Sequence, residues 1–192
     1  MAKVDVDLPY ILGTNGPNNI KWKSSWSLPC YVYGAGGNDN IDFRKSGYWN
    51  ELYGHAGNDT IRGGKNWDSI VGGNGRDKLY GYGAYDTIYG GAGHDYIDGG
   101  SGSDYLYGPS GNDTIKGGSA ADLISGGSGN DKLYGQAGND KIYAGKGNDT
   151  IDGGDGNDII YAQYGTNSII GGKGNDTIYA GTGADKFITF PR

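Results

Sequence analysis

Fourteen aspartates recur at a fixed interval of nine residues between Asp59 and Asp185. Only Asn167 breaks the series, where a neutral amide stands in place of the carboxylate. Carboxylates and backbone carbonyls are the hard oxygen ligands that calcium prefers, at about 2.3–2.6 Å. A regular series of carboxylates among glycines, whose backbone turns freely, therefore predicts binding of several calcium ions rather than acid–base catalysis.

These aspartates occupy the sixth place of a nine-residue phrase that repeats fifteen times without a gap from Gly54 to Ile188. The phrase follows the formula G-G-x-G-x-D-x-U-x, where U is a large apolar residue, as in GGNGRDKLY (72–80), GGAGHDYID (90–98) and GGKGNDTIY (171–179). Every copy carries Ile, Leu or Phe at the eighth place. A phase held for 135 residues cannot arise from composition alone, so the phrase is the unit of the fold.

Each phrase divides into a turn and a short strand. The first six residues, rich in Gly, Asn and Asp, favour a tight turn, and the last three, of x-U-x pattern, favour a strand. Because side chains alternate along a strand, the middle residue points inward and its neighbours point outward. Two phrases then make one coil of eighteen residues, and the stacked coils form an all-β rod with one apolar column on each of two facing sheets.

Turns on the same side of this rod belong to phrases eighteen residues apart, so each ion is expected between Asp(i) and Asp(i+18). Eight turns in one row and seven in the other leave at most thirteen such gaps. Asn167 lowers the charge of the two gaps beside it, and Asn66, Ala84 and Ala120 depart from the fourth-place glycine. The predicted metal ligands are Asp39, Asp59, Asp68, Asp77, Asp86, Asp95, Asp104, Asp113, Asp122, Asp131, Asp140, Asp149, Asp158, Asp176 and Asp185.

The composition also points to bound cations. Only 35% of the 192 residues are hydrophobic and 41 are glycine. One buried aliphatic residue per phrase contributes about 1.5–3 kcal/mol, which does not offset an ordering cost of about 1–2 kcal/mol per residue. Metal ions that bind only the folded chain would supply the difference. Thirteen calcium ions would add +26 to the formal net charge of −6 and bring it to at most +20, which predicts attraction of polyanions such as acidic polysaccharide.

On these motifs the chain resembles the RTX (haemolysin-type) calcium-binding nonapeptide-repeat proteins, over at least residues 34–42 and 54–190. The resemblance implies a right-handed parallel β-roll with calcium in its turns, exported unfolded and folded outside the cell. The ending AGTGADKFI with Phe190 and Pro191 is similar to the G-x-G-A-D-x-F-x-F close of such modules, and it brings Phe187 into the apolar column.

Two regions are predicted from the repeat pattern. Residues 54–192 form the β-roll with its C-terminal Phe cap. Residues 1–53 form an N-terminal cap of degenerate repeats, with GTNGPNNIK (13–21), GAGGNDNID (34–42) and KSGYWNELY (45–53) among Trp22, Trp26 and Trp49. Ends of stacked coils need such caps because they would otherwise expose core and strand edge.

The expected location is extracellular, by the resemblance. No signal peptide, membrane span or C-terminal secretion segment is visible in the sequence, which ends at Arg192. Three alternatives stay open at this point: a fragment of a larger exported protein, another export route, or retention in the cell.

Outward strand positions carry Tyr89, Tyr105, Tyr107, Tyr143, Tyr161 and Tyr179. They are either good strand formers in cross-strand pairs, or an aromatic platform for sugar rings or a partner protein. The interruptions at Ser125 and Lys141 favour the first interpretation.

No constellation for catalysis is present in the sequence. His55 and His94 have no nucleophile at a useful spacing, Cys30 is expected to be a buried apolar residue, and Trp67 is expected to be exposed in a turn. No nucleic-acid-binding motif occurs. The leading function is therefore a non-enzymatic, calcium-folded module. The alternatives are a polysaccharide-binding accessory module similar to the R-modules of alginate epimerases, or an adhesin fragment. Ice binding is disfavoured because the third place of the phrase has no regular Thr row.

Overall fold

The computed structural model describes residues 10–23 and 28–188. All regular structure in these residues is β. The strands are β1 (Tyr10–Leu12), β2 (Asn19–Lys21), β3 (Cys30–Tyr33), β4 (Asn40–Asp42), β5 (Asn50–Ala56), β6 (Thr60–Arg62), β7 (Asp68–Asn74), β8 (Lys78–Gly83), β9 (Thr87–Ala92), β10 (Tyr96–Ser101), β11 (Tyr105–Tyr107), β12 (Thr114–Ser119), β13 (Leu123–Ser128), β14 (Lys132–Ala137), β15 (Lys141–Lys146), β16 (Thr150–Asp155), β17 (Ile159–Tyr161), β18 (Ser168–Lys173), β19 (Thr177–Tyr179) and β20 (Lys186–Phe187).

The strands form two sheets of ten strands each. Odd-numbered strands make one sheet and even-numbered strands the other, and every strand pairs in parallel with the strand two places before or after it. The chain therefore alternates between the sheets and completes one coil with every two strands. The predicted all-β parallel β-roll is confirmed.

The length of a coil changes along the chain. From β5 onward the pairing advances by eighteen residues, as in Ile97 with Ile115. Before that, Ile11 pairs with Val32 and Val32 with Leu52, so that these coils contain 21 and 20 residues. The N-terminal coils thus continue both sheets but carry extra residues in their turns. The division of the chain at residue 53 stays a prediction.

The core consists of one apolar column per sheet, as the phrase predicts. The odd sheet contributes Val32, Leu52, Ile70, Ile88, Leu106, Ile124, Ile142 and Ile160. The even sheet contributes Ile41, Ile61, Leu79, Ile97, Ile115, Leu133, Ile151 and Ile169. All are almost completely buried, and the first-place residues Ala144 and Ala162 are buried with them.

The two ends of the stack differ in their packing. At the N-terminal end Trp22 packs against the buried Phe43, with ring centroids 5.8 Å apart, and against Tyr48. At the other end Phe187 is in register with Ile169 on the neighbouring strand but is 52% exposed. Trp26, Phe190 and Pro191, which the sequence places in the caps, lie outside the described residues.

The outward faces of the two sheets have different chemistry. Beside the inward column, the even sheet presents charged side chains on most of its strands, including Arg62, Asp98 and Lys116. The odd sheet presents ten tyrosines, and its only charged outward side chains at these strand positions are Glu51 and Lys141. We call this surface the aromatic face.

Candidate metal centre

The turns form two rows along the rod. The first row contains Asp39, Asp59 and the aspartates that follow at intervals of eighteen residues, and the second row begins with Asp68 and Asp86. All fifteen aspartates predicted as ligands lie in these rows, in turns with positive φ at the second or fourth place of most phrases. At Gly129 (φ 132°), for example, a Cβ atom would lie 1.7 Å from the carbonyl oxygen of Gly111 in the preceding coil. The glycines therefore allow the turns to stack closely.

A ladder of hydrogen bonds links the carboxylates within each row. From Asp59 onward, the backbone N–H of each aspartate before the last in its row donates to Oδ1 of the residue eighteen positions later, as Asp59 does to Asp77 at 2.7 Å and Asp104 to Asp122 at 2.7 Å. Asp39 donates in the same way to Asp59, twenty positions later. The ladder in the first row continues through Asn167, which accepts from Asp149 and donates to Asp185. Neighbouring coils are thus held in the spacing that the sequence predicts.

The second oxygen of most of these carboxylates has no partner. Twelve Oδ2 atoms in the described part of the chain are buried and form no hydrogen bond: those of Asp39, Asp59, Asp77, Asp86, Asp95, Asp104, Asp113, Asp122, Asp131, Asp140, Asp149 and Asp158. A buried, unpaired charged oxygen is strongly unfavourable unless a proton or a cation compensates it.

Asp68 differs from these twelve residues. Its Oδ2 accepts a hydrogen bond from the backbone N–H of Gly64 at 2.5 Å, and its Oδ1 accepts one from Nδ2 of Asn50 at 2.7 Å. Asn66 occupies the fourth place of this turn, where most other phrases have a residue with positive φ, but its own φ is not positive. The first aspartate of the second row therefore has less need of a cation than the others.

The first-place glycine leaves open a space that the unpaired Oδ2 atom, which we call orphaned, and a backbone carbonyl oxygen of the next coil both border. At the first place of the phrase, a Cβ atom on Gly81 would lie 2.2 Å from Oδ2 of Asp86 and 2.6 Å from the carbonyl oxygen of Gly99 in the next coil. The same arrangement recurs at Gly54 and Gly117. In the last three turns of the first row, Ala144, Ala162 and Ala180 put a methyl group at this place.

Burial raises the pKa of the aspartates. The pKa of Asp86 rises to about 9 and that of Asp122 to about 8, because burial disfavours the charged form and the carboxylates of adjacent coils add repulsion. Burial also raises the pKa of Asp77, Asp113 and Asp131 to about 7. The backbone N–H bonds lower these pKa values but do not outweigh burial.

The donor set selects the kind of metal. No group of three or more His, Cys, Asp or Glu side chains converges on one point in residues 10–23 and 28–188. Each gap therefore offers carboxylates from two coils at most, and backbone carbonyls must complete the coordination. Such an all-oxygen set suits calcium, whereas zinc prefers nitrogen and sulfur ligands.

One member of the second row was not predicted as part of it. Asn50 is fully buried and stands one coil before Asp68, to whose Oδ1 it donates. It occupies the sixth place of the degenerate phrase KSGYWNELY, which was the available signal.

The remaining residues singled out in the sequence do not form a catalytic site. Nδ1 of His94 accepts a hydrogen bond from the backbone N–H of Asn112 at 2.7 Å, and His55 stacks near Tyr33 and Tyr53. Cys30 is buried, and burial raises the pKa of its thiol to about 11, so the reactive thiolate is disfavoured. Trp67 is 40% exposed, as expected, and packs beside Trp49.

The tyrosines of the aromatic face stack along the rod. Ring centroids lie 4.6 Å apart in the pair Tyr89–Tyr107 and 4.8 Å apart in Tyr143–Tyr161 and Tyr161–Tyr179. The column also includes Tyr33 and Tyr53, stacked at 5.0 Å, which lie in the predicted cap and were not counted from the sequence. Ser125 interrupts the column, as expected.

Comparison with known families agrees with this geometry. The model of the RTX calcium-binding nonapeptide repeat (4 copies) matches residues 46–79, 71–106, 98–133, 107–142, 134–163 and 161–189. A search of curated proteins gives no match to the chain. Among the described residues no helix is long and apolar enough to cross a membrane. The matched segments together cover residues 46 to 189, and the chain therefore belongs to the RTX calcium-binding nonapeptide-repeat family.

Proposed function

We propose that this chain is an extracellular module that folds when calcium binds and has no catalytic activity of its own. Calcium would lie between successive turns of each row, with the aspartates from Asp39 to Asp185 as side-chain ligands. Where intracellular calcium is low, the buried carboxylates would repel one another and the chain would stay unfolded. Outside the cell, bound ions would bring the coils together.

The orphaned Oδ2 atoms carry this proposal. Twelve buried oxygens without a donor are a recurring deficit, not a local defect. Beside nine of them the first-place glycine leaves a space that also borders a backbone carbonyl of the next coil. A divalent cation at this position would compensate the charge of two coils at once. Between Asp59 and Asp185 the two rows offer at most thirteen gaps, and Asp39 adds one more.

A calcium titration followed by circular dichroism tests the proposal. We expect a coil-like spectrum in chelator and a cooperative gain of strand with calcium, reversed by EDTA. Magnesium at the same concentration should be a poor substitute, because it demands near-octahedral geometry and releases its water reluctantly. A strand signal that is insensitive to chelator would contradict the proposal.

The aromatic face favours a second candidate function, calcium-dependent binding of acidic polysaccharide. Tyr107, Ser125 and Tyr143 are in register on β11, β13 and β15. Tyr107 stacks on Tyr89 and Tyr143 stacks on Tyr161, so the free face of each ring is directed toward Ser125. Two strand spacings separate the rings, about 9.6 Å, which leaves room for one further ring between them.

We call the space between the rings of Tyr107 and Tyr143 the slot. Its surroundings suit an acidic sugar. Tyrosine hydroxyls and Ser125 offer hydrogen-bonding groups, and the ring faces would pack against the C–H groups of a pyranose. The ammonium of Lys141 lies 5.3 Å from the ring centroid of Tyr143, beside the stack. A fourth bound calcium ion would already make the net charge positive.

The substitution Ser125→Tyr tests this candidate by filling the slot with a tyrosine ring between Tyr107 and Tyr143. Binding of hexagalacturonate, measured by calorimetry with calcium present, should weaken at least tenfold. Ser69→Tyr, the same change on β7 of the same face, is the matched control and should leave binding unchanged. Equal binding by the wild type and Ser125→Tyr would contradict a site in the slot.

A further inference from the structure

The amide of Asn18 stands where every other turn of the first row, except that of Asn167, carries a carboxylate. Its Nδ2 donates to the carbonyl oxygens of Gly16 (2.7 Å), Gly34 (2.9 Å) and Thr14 (3.0 Å) and to Oδ1 of Asp39 (2.9 Å). One nitrogen is thus surrounded by four oxygens from two successive coils. The orientation of the amide is determined by its Oδ1, which accepts from the backbone N–H of Thr14 at 3.1 Å.

The same position in the turn of Asp59, two coils later in the row, holds an orphaned oxygen. A Cβ atom on Gly13 would contact Nδ2 of Asn18 and the carbonyl of Gly34, and one on Gly54 would contact Oδ2 of Asp59 and the carbonyl of Gly72. Nδ2 of Asn18 and Oδ2 of Asp59 are therefore equivalent in position but opposite in hydrogen-bonding character. An oxygen among oxygens needs a cation, whereas an N–H donor among oxygens is already satisfied.

The second row begins in the same way. Nδ2 of Asn50 donates to the carbonyl oxygen of Tyr48 at 2.9 Å and to Oδ1 of Asp68 at 2.7 Å. Tyr48 and Gly16 both occupy the fourth place of their phrases, so these contacts reproduce two of the four that Asn18 makes. Oδ1 of Asn50 accepts from the hydroxyl of Ser46, which fixes this amide as well.

We propose that amide nitrogens close the first gap of each row in place of calcium. The gaps Asn18/Asp39 and Asn50/Asp68 would then bind no metal ion. The calcium array would begin one coil later, and the N-terminal coils would be held together by hydrogen bonds that do not depend on calcium. This inference rests on the proposed function, because it concerns where the array of ions ends.

Asn167 supplies an internal comparison. Its Nδ2 donates to the carbonyl oxygens of Ala162 and Tyr164 at 3.3 and 3.4 Å, both longer than the contacts of Asn18 and Asn50. Each amide thus turns its N–H groups toward the carbonyl oxygens of its turn, most closely at the start of the rows.

Calcium counting by native mass spectrometry tests the inference. At saturating calcium, Asn18→Asp and Asn50→Asp should each bind one more ion than the wild type, because each creates a second carboxylate in its gap. Asn58→Asp, which changes an exposed fifth-place amide, is the matched control and should leave the count unchanged. An unchanged count in both gap variants would overturn the inference.

Hydrogen exchange provides a second measurement that does not require a new site to form. With calcium present, Asn50→Ala should increase exchange in residues 45–60 by about tenfold while the number of bound ions stays the same. Loss of an ion in this variant would instead show that the wild-type gap holds calcium, and would overturn the inference. Failure of the wild type to bind calcium at all would contradict the proposed function itself.

Discussion

At the first, fourth and sixth places of the phrase, the first and second rows of turns depart from the repeat formula at opposite ends of the rod. At these places the departures in the first row are Ala144, Ala162, Asn167 and Ala180, all near the C-terminus. In the second row they are Asn66, Ala84 and Ala120, all in the N-terminal two thirds of the repeats. Each row therefore has a regular segment where the other is irregular, so every coil retains at least one turn close to the formula.

The two rows also differ in the electrostatics of their carboxylates. The most strongly shifted residues are Asp86 and Asp122, with pKa values raised to about 9 and about 8, and both lie in second-row turns with alanine at the fourth place. The first-row residues Asp77, Asp113 and Asp131 reach about 7. The pKa values of the second-row residues Asp68, Asp104 and Asp140 rise only to about 6, so the largest shifts belong to the two turns with alanine at the fourth place rather than to the whole second row.

The hydrogen bonds that fifth-place side chains accept from the next coil also differ between the two rows. In the first row the fifth-place side chains of Asn112, Asn130 and Asn148 accept from the backbone N–H of the next coil at 2.7–2.8 Å. In the second row such bonds begin only at Asn139, since Trp67, Tyr85, Ser103 and Ala121 precede it. The first row therefore has more of these hydrogen bonds between coils than the second row.

The largest effect is expected from a fourth-place substitution. Gly129→Ala in the first row adds a Cβ atom 1.7 Å from the carbonyl oxygen of Gly111 at a φ of 132°. We expect a loss of about 1–3 kcal/mol or more, with a lower Tm at saturating calcium. The reverse change in the second row, Ala120→Gly, removes an alanine with φ 78° and should stabilise by up to about 1 kcal/mol. Thermal unfolding that ranks these two variants in the opposite order would contradict the account.

The pH dependence of the metal-free chain should separate the rows. Because folded-state pKa values lie above the usual 3.8, the folded chain binds more protons than the unfolded chain, and its stability rises as the pH falls. In calcium-free buffer, strand content should increase as the pH is lowered from about 9 through about 6. The effect should level off near pH 4. Asp86→Asn should show a smaller dependence than Asp59→Asn, and circular dichroism would measure both.

Restoring the missing carboxylate of the first row should strengthen calcium binding. Asn167→Asp adds a charged ligand to the gaps toward Asp149 and Asp185 and removes only long hydrogen bonds. We expect the calcium midpoint of folding to fall by about two- to tenfold. Asn175→Asp, at a fifth place in the second row, controls for added charge alone, and an equal shift in both variants would count against a ligand role.

The smallest effect is expected from loss of one of the hydrogen bonds that fifth-place asparagines accept from the next coil. Asn130→Ala removes the acceptor for the backbone N–H of Asn148, which is exposed, and should cost about 0.5–1.5 kcal/mol. Ser103→Ala, at the same place in the second row where no such bond is formed by the side chain, should have little effect on Tm. Differential scanning calorimetry at saturating calcium would resolve the difference.

Much of the architecture was predictable because a nine-residue period leaves few options. The eighth-place residues from Ile61 to Ile169 were predicted to be core residues and are buried. The partners Asp59 and Asp77 were predicted from the eighteen-residue coil and are joined by a hydrogen bond. The period places Asn50 at the sixth place of its phrase, but that phrase has lost the glycines and the aspartate of the formula, and Asn50 was therefore not predicted as a member of the row.

The sequence by itself determined the alternation of turn and strand, the parallel stacking and the two rows of carboxylates, because these follow from local backbone preference and a constant period. Only the tertiary structure decided which carboxylate oxygen lacks a partner, that Asn18 and Asn50 supply N–H donors at the start of the rows, and that Phe187 is half exposed. These features depend on which atoms of neighbouring coils meet across a gap of about 4.8 Å. The pattern of one nine-residue phrase does not specify which atoms of neighbouring coils come into contact.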